Sequence, residues 1–132
     1  MNLLSIQVWY INFMKFIDGI LSKIFRKSVN IEYIDGLYLS EALNEKKLPK
    51  IKKKIKEGKG SVCLLLKSAN DEDCLDIVTP MQLKMKVWEG KNPVCIGLAN
   101  GKEDASALVE TIIKDCLDKT GGTGLKEFIC SL

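Results

Sequence analysis

Cysteines, carboxylates and lysines carry whatever chemistry this chain has. Histidine is absent, which removes the usual general base, the commonest metal ligand and the side chain that titrates near neutrality. Ser-His-Asp and Cys-His catalysis go with it. The five cysteines are Cys63, Cys74, Cys95, Cys116 and Cys130. Their spacing offers neither a CxxC pair nor a zinc site. An odd count with several cysteines inside apolar runs reads as reduced thiols in a cytoplasmic protein, most of them acting as small core hydrophobes. A reactive thiolate needs a positive neighbour or a helix start. Cys74, in DEDCLD, sits among acids instead.

The segment GLANGKE, Gly97 to Glu103, follows an apolar run and opens a helical pattern, the context of a phosphate loop. It is one residue shorter than GxxxxGK[ST] and has Glu103 in place of the magnesium-binding hydroxyl. Glu103 and Asp104 would repel phosphate from a helix start that otherwise attracts anions. An Asn-Gly turn feeding a helix accounts for it. GGTG, Gly121 to Gly124, comes after a helix and reads as its stop. In NDEDCLD the acids Asp71, Glu72, Asp73 and Asp76 lack the alternation, central glycine and distal glutamate of a calcium loop, so a solvated turn is expected. No pattern places two carboxylates across a cleft. The chain is therefore expected to be non-enzymatic, with no cofactor and no metal.

Lysines make the densest signal. Lys46, Lys47, Lys50, Lys52, Lys53, Lys54, Lys56 and Lys59 fall in KKLPKIKKKIKEGKG, and residues 46–59 carry a net +7 in a chain of net +3. Residues 30–45 sum to −4, so the basic character is local. Six or more lysines can neutralise phosphates and release counterions. Yet no arginine follows Arg26 to read guanine edges, and no aromatic residue interleaves to stack on bases. Nucleic-acid binding would be non-specific, and it is the alternative here rather than the expectation. Pro49 suits a first helical turn, Gly58 suits a stop, and Leu48, Ile51 and Ile55 share one face. The lysines then form the wet side of a short helix.

The first 29 residues are the unusual part. MNLLSIQVWYINFMKFIDGILSKIFRK has neither a basic start nor a small-x-small cleavage site, so it does not read as a secretory signal. Its uncharged stretch ends at Met14, short of the ~20 residues that span a bilayer. From Met14 onward Phe16, Ile17, Ile20, Leu21, Ile24 and Phe25 form one stripe at helical spacing, with Lys23, Arg26 and Lys27 among the polar residues opposite. Because MKFIDGILSKIFRK is a natural opening, Met14 is the expected initiator and residues 1–13 an upstream extension. Three coverings compete for the stripe: the protein's own sheet, a membrane interface with the basic residues near anionic headgroups, or a second helix from a copy or partner. Gly19 costs a lone helix about 1 kcal/mol relative to alanine and favours close approach to a neighbour.

Residues 30–132 read as one small α/β domain, with α+β as the alternative, built on a mixed sheet of about five strands packed by helices. IEYIDGLYLS reads as a strand that turns at Asp35-Gly36 into a helix capped by Ser40, or as a hairpin. SVCLLLKS and PVCIGLA are continuous apolar runs that suit strands buried on both faces. CLDIVT reads as an antiparallel neighbour, and PMQLKMKVWEGKNP leans to a short helix. Ala105, Leu108, Val109, Ile112, Ile113 and Cys116 define a helix over 102–119. GLKEFICSL reads as a closing strand, making 93–131 a β-α-β unit. The expected role is an accessory or adaptor protein of the cytoplasm or membrane periphery. It would dock through its N-terminal helix to a protein partner, a copy of itself or a membrane surface.

Overall fold

The computed structural model describes residues 3–24, 29–68, 74–122 and 124–132. A long helix, α1 (Leu3–Ile24), precedes the strands and helices of the body. In order these are β1 (Glu32–Leu39), α2 (Leu48–Lys56), β2 (Cys63–Lys67), β3 (Leu75–Val78), α3 (Pro80–Lys84), β4 (Val94–Ala99), α4 (Lys102–Thr120) and α5 (Leu125–Cys130). The sheet runs β1-β4-β2-β3. β1 lies parallel to β4, while β2 is antiparallel to both β4 and β3. The fold is α/β, with four strands where the sequence suggested about five.

β2 explains why the sheet needs covering on both sides. Alternate side chains of a strand point to opposite faces. Cys63 and Leu65 join the core under α4 and α5, whereas Leu64 and Leu66 join the core under α2 and α3. β4 contributes Ile96 to the first core and Cys95 and Leu98 to the second. α4 closes the first face with Ala105, Leu108, Ile112 and Cys116, all buried. α2 and α3 close the second with Ile55 and Leu83. Gly97 lets the layers approach: a Cβ there would stand 3.1 Å from Leu108 Cδ2 and 3.3 Å from the Tyr38 carbonyl oxygen.

The two expectations for IEYIDGLYLS are both corrected. β1 is one strand that continues through Asp35-Gly36. Tyr33 pairs with Cys95 and Tyr38 with Gly97, so four residues of β1 bulge opposite Ile96 alone. Gly36 takes φ +72°, which glycine tolerates. Residues on both sides of the bulge bond to the same buried neighbour, and that pairing overrides the local turn preference. No helix starts at Ser40, whose N–H extends the ladder to the Leu98 carbonyl at 3.1 Å. The helical path begins at Asn44 instead, whose side chain accepts from the Lys46 N–H at 3.0 Å.

GLKEFICSL is also corrected, from strand to helix. Leu125, Phe128, Ile129 and Leu132 recur at three- and four-residue intervals, and all pack into the α4 core. The β-α-β unit over 93–131 is therefore absent, and β4 leads into two successive helices. α3 forms as expected, set by a reciprocal cap: the Thr79 N–H donates to Gln82 Oε1 at 2.8 Å and the Gln82 N–H to Thr79 Oγ1 at 3.3 Å.

Candidate functional site: an exposed helix beside a basic groove

α1 is one unbroken helix of 22 residues that passes through Met14 without a change of course. Ile6, Tyr10, Phe13, Ile17 and Ile20 succeed one another at alternating intervals of four and three, so they line one face. Trp9 and Phe16 flank that line, and Trp9 stacks on Phe13 with ring centroids 5.2 Å apart. The stripe thus reaches well upstream of Phe16, where the sequence reading began it. The signal was present in the spacing, but the uncharged residues before Met14 hid it because they are apolar on nearly every side.

The stripe is not covered by the body. Trp9 is 64% exposed and Phe16 65%, with Ile6, Tyr10, Ile11, Phe13 and Ile20 also exposed. Ile17 is half-buried. For the described side chains of α1 this corrects the first of the three expected coverings, packing on the protein's own sheet. Val8 and Ile11 are exposed on the flank away from the stripe, so the first half of α1 presents apolar surface almost all round. Leu21, Lys23 and Ile24 belong to the last turns of α1. Phe25, Arg26 and Lys27, named with them from sequence, lie outside the described residues, as do Asp71, Glu72 and Asp73.

The lysine-rich segment folds as the spacing demands. Ile55 is buried, while Leu48 and Ile51 pack at the edge of the same core. Pro49 occupies the first turn, and Gly58 ends the helix with φ +73°. Lys46 and Lys47 lie on the 3-10 turn before α2. Lys46, Lys47, Lys50, Lys53, Lys54, Lys56 and Lys59 are exposed and Lys52 is half-buried.

One flank of this helix is more than a wet face. Lys52, Lys53 and Lys56 line a groove of about 430 Å³ together with Asn30, Tyr33 and Pro49. Lys52 Nζ sits 4.5 Å from the centre of the Tyr33 ring, a cation–π distance that holds the ammonium in place. The Val29 N–H donates to the Lys56 carbonyl at 2.9 Å. This bond ties the chain arriving from α1 to the C-terminal end of α2. Among the described residues the ion pair formed by this segment is Lys59 with Glu57, at 4.0 Å.

A second cleft lies between the end of β1 and α4, lined by Tyr38, Ser40, Glu41, Asp104 and Thr111. The Tyr38 hydroxyl donates to Asp115 at 2.7 Å. Burial, then the bond to Asp115 and its charge, push the Tyr38 phenol up to about 12, so it remains protonated at neutral pH. The Ser40 hydroxyl is buried and closes no hydrogen bond of good geometry. It nevertheless faces Asp104, and with the Asn100 N–H at 2.8 Å it holds that carboxyl below the usual range.

Three of the five cysteines are core residues, in line with the expectation that most would be. Cys63, Cys95 and Cys116 are buried, Cys74 is half-buried and Cys130 is exposed. Burial pushes the Cys95 thiol up to about 12, against smaller opposing effects from the Gly97 and Leu65 backbone and the Lys52 charge. It donates instead to the Gly97 carbonyl at 3.2 Å. Among the described residues no group of three or more His, Cys, Asp or Glu side chains is placed to hold a metal.

No protein-family model, no curated protein and no solved structure matches this chain. Within the described residues, no helix is long and apolar enough to cross a membrane. The site is thus defined by its own geometry: an exposed amphipathic helix attached at its C-terminal end to a basic groove.

Proposed function

We propose that this chain is a non-enzymatic docking protein that attaches to one leaflet of an anionic membrane through α1. The observation that carries the reading is the exposed apolar surface of α1, which continues around most of its first half. The uncharged stretch Leu3–Met14 is 12 residues long, about 18 Å at the helical rise. The hydrocarbon core is about 30 Å thick. Such a segment is too short to cross and lies in one leaflet at the headgroup boundary, with Lys15 reaching the headgroups. Trp9 and Tyr10 are the residue types that settle at that boundary.

Pairing with a second helix explains less of the surface. A seam formed by Ile6, Tyr10, Phe13, Ile17 and Ile20 has the three-four spacing that a partner helix reads. It would leave Val8 and Ile11 in water on the far side, whereas a lipid interface covers them as well. On this reading the body is held at the membrane periphery, on the cytoplasmic side, where anionic lipid is concentrated.

The test uses the full chain with Trp88→Phe, so that Trp9 is the only emitting indole. Flotation with phosphatidylcholine vesicles containing phosphatidylserine should carry the protein upward. Its emission should shift to the blue and be quenched by brominated acyl chains. If the protein stays at the bottom of the gradient with Trp9 emission unchanged, the membrane reading fails. If Trp9 is shielded without lipid and the protein sediments as an oligomer, helix pairing replaces it.

A further inference from the structure

We infer that the groove between the entry to β1 and α2 seats the phosphomonoester headgroup of a membrane lipid. The inference rests on the membrane reading of α1 and adds to it a ligand class for a separate surface. The charged residues that line the groove are all of one sign. Lys52, Lys53 and Lys56 supply three ammonium groups, and the Tyr33 ring fixes the first of them at 4.5 Å. Among the described residues no carboxylate lies within ion-pair distance of these three lysines. Its volume of about 430 Å³ is within the roughly 300–1,000 Å³ of sites that take small ligands. Lysine ammoniums bind phosphate as point charges, and a phosphomonoester carries more charge than the phosphodiester of ordinary lipids, so it gains most from three of them.

Position selects a lipid over a free anion. The Val29 N–H is bonded to Lys56, and five residue steps separate Val29 from the end of α1 at Ile24. That length of chain covers at most about 18 Å. With α1 lying in the interface, the groove is therefore tethered near the headgroup layer. Lys54 does not share it: it projects from the other flank of α2, about 160° around the helix from both Lys52 and Lys56, and neither it nor Lys46 nor Lys47 lines the groove.

The experiment compares two triple variants of the full chain on vesicles. One is Lys52→Gln, Lys53→Gln, Lys56→Gln, in the groove. The other is Lys46→Gln, Lys47→Gln, Lys54→Gln, outside the groove. Vesicles contain either phosphatidic acid or phosphatidylserine, matched in surface charge. Both variants should lose a similar amount on phosphatidylserine, about fivefold for each lysine near the surface. Only the groove variant should lose a further tenfold on phosphatidic acid. Equal losses on both lipids overturn the proposal in favour of diffuse charge.

A second measurement separates this proposal from the reading of α1. Backbone amide NMR of the full chain is followed with short-chain phosphatidic acid below its micelle concentration, and separately with inorganic phosphate. Shifts at Val29, Tyr33 and Lys53 with the short-chain lipid support the groove even where flotation fails. Equal response to inorganic phosphate means a free-anion site and overturns the lipid assignment. Absence of any response at these amides overturns the site itself.

Discussion

Replacing Trp9, Phe13 and Phe16 together by serine should uncouple attachment from folding. The three rings are 64%, 43% and 65% exposed. With about 200 Å² for an aromatic side chain, they offer roughly 350 Å² of apolar surface to a partner phase. At ~25 cal/mol per Å² complete burial would be worth ~9 kcal/mol. Shallow burial at the leaflet boundary realises about half of this, which leaves ~4 kcal/mol, or about 1,000-fold in vesicle partition. The body should not notice, because solvent-exposed substitutions change stability by about 0.5 kcal/mol or less. Ile112→Ala supplies the opposite control. Ile112 is fully buried under the sheet, so its loss should cost about 2–5 kcal/mol and lower Tm by roughly 10–20 °C while leaving partition of the folded protein unchanged. Thermal unfolding by circular dichroism and vesicle flotation read the two quantities. If the triple variant lowers Tm as far as Ile112→Ala does, α1 packs on the body and the exposure argument is refuted.

Gly97→Val should destabilise the protein by about 1–3 kcal/mol through overpacking, since even a Cβ meets Leu108 and Tyr38 at 3.1–3.3 Å; denaturant unfolding with an unchanged m value and a lowered midpoint checks it. Thiol labelling of the native protein should modify Cys130 first, with Cys63, Cys95 and Cys116 protected until the body unfolds, as their burial requires; peptide mapping after a short pulse identifies the order. In alkaline solution Tyr33 and Tyr38 should ionise near pH 12 rather than near 10. Because the folded state holds their protons more tightly than the unfolded chain, stability is retained below about pH 10 and falls as pH rises toward 12. Ultraviolet titration of the native protein, repeated with Tyr38→Phe, tests the assignment.

Burial on both faces was readable where one residue type filled a run. SVCLLLKS has no polar position to place on a wet face, so it had to be an inner strand, and β2 is one. The α4 pattern, from Ala105 to Cys116, was equally plain because its apolar residues hold helical intervals over three turns. Asp35-Gly36 misled because turn propensity is local and weak beside a ladder: β4 bonds to β1 on both sides of the bulge, and no local rule carries that pairing. GLKEFICSL was legible in principle. Its Leu125, Phe128, Ile129 and Leu132 spacing is helical, but the short length and bulky residues resembled an edge strand. The upper half of α1 was obscured for the opposite reason, since a segment apolar on most sides has little contrast from which to read a period. The basic groove was not legible at all. Its charge was visible in the lysine run, but the placing of Tyr33 against Lys52 depends on how β1 lies beside α2.

The bulge in β1 also bears on how such a protein avoids sticking to itself. Among the described residues β1 pairs with a strand on one side only, so its other side is a row of backbone groups without a strand partner. Asp35 and Gly36 break that row in the middle, and Glu32 and Asp35 are exposed there. The opposite edge, β3, is only four residues long. Neither edge offers an incoming strand a long flat template. A chain that keeps one apolar helix uncovered concentrates its molecules wherever that helix finds a surface, and crowding of that kind is what turns an open sheet edge into a nucleus for aggregation. On the proposed docking role, the irregularity that spoils the ladder of β1 would guard the body at the high local concentration of an attached protein.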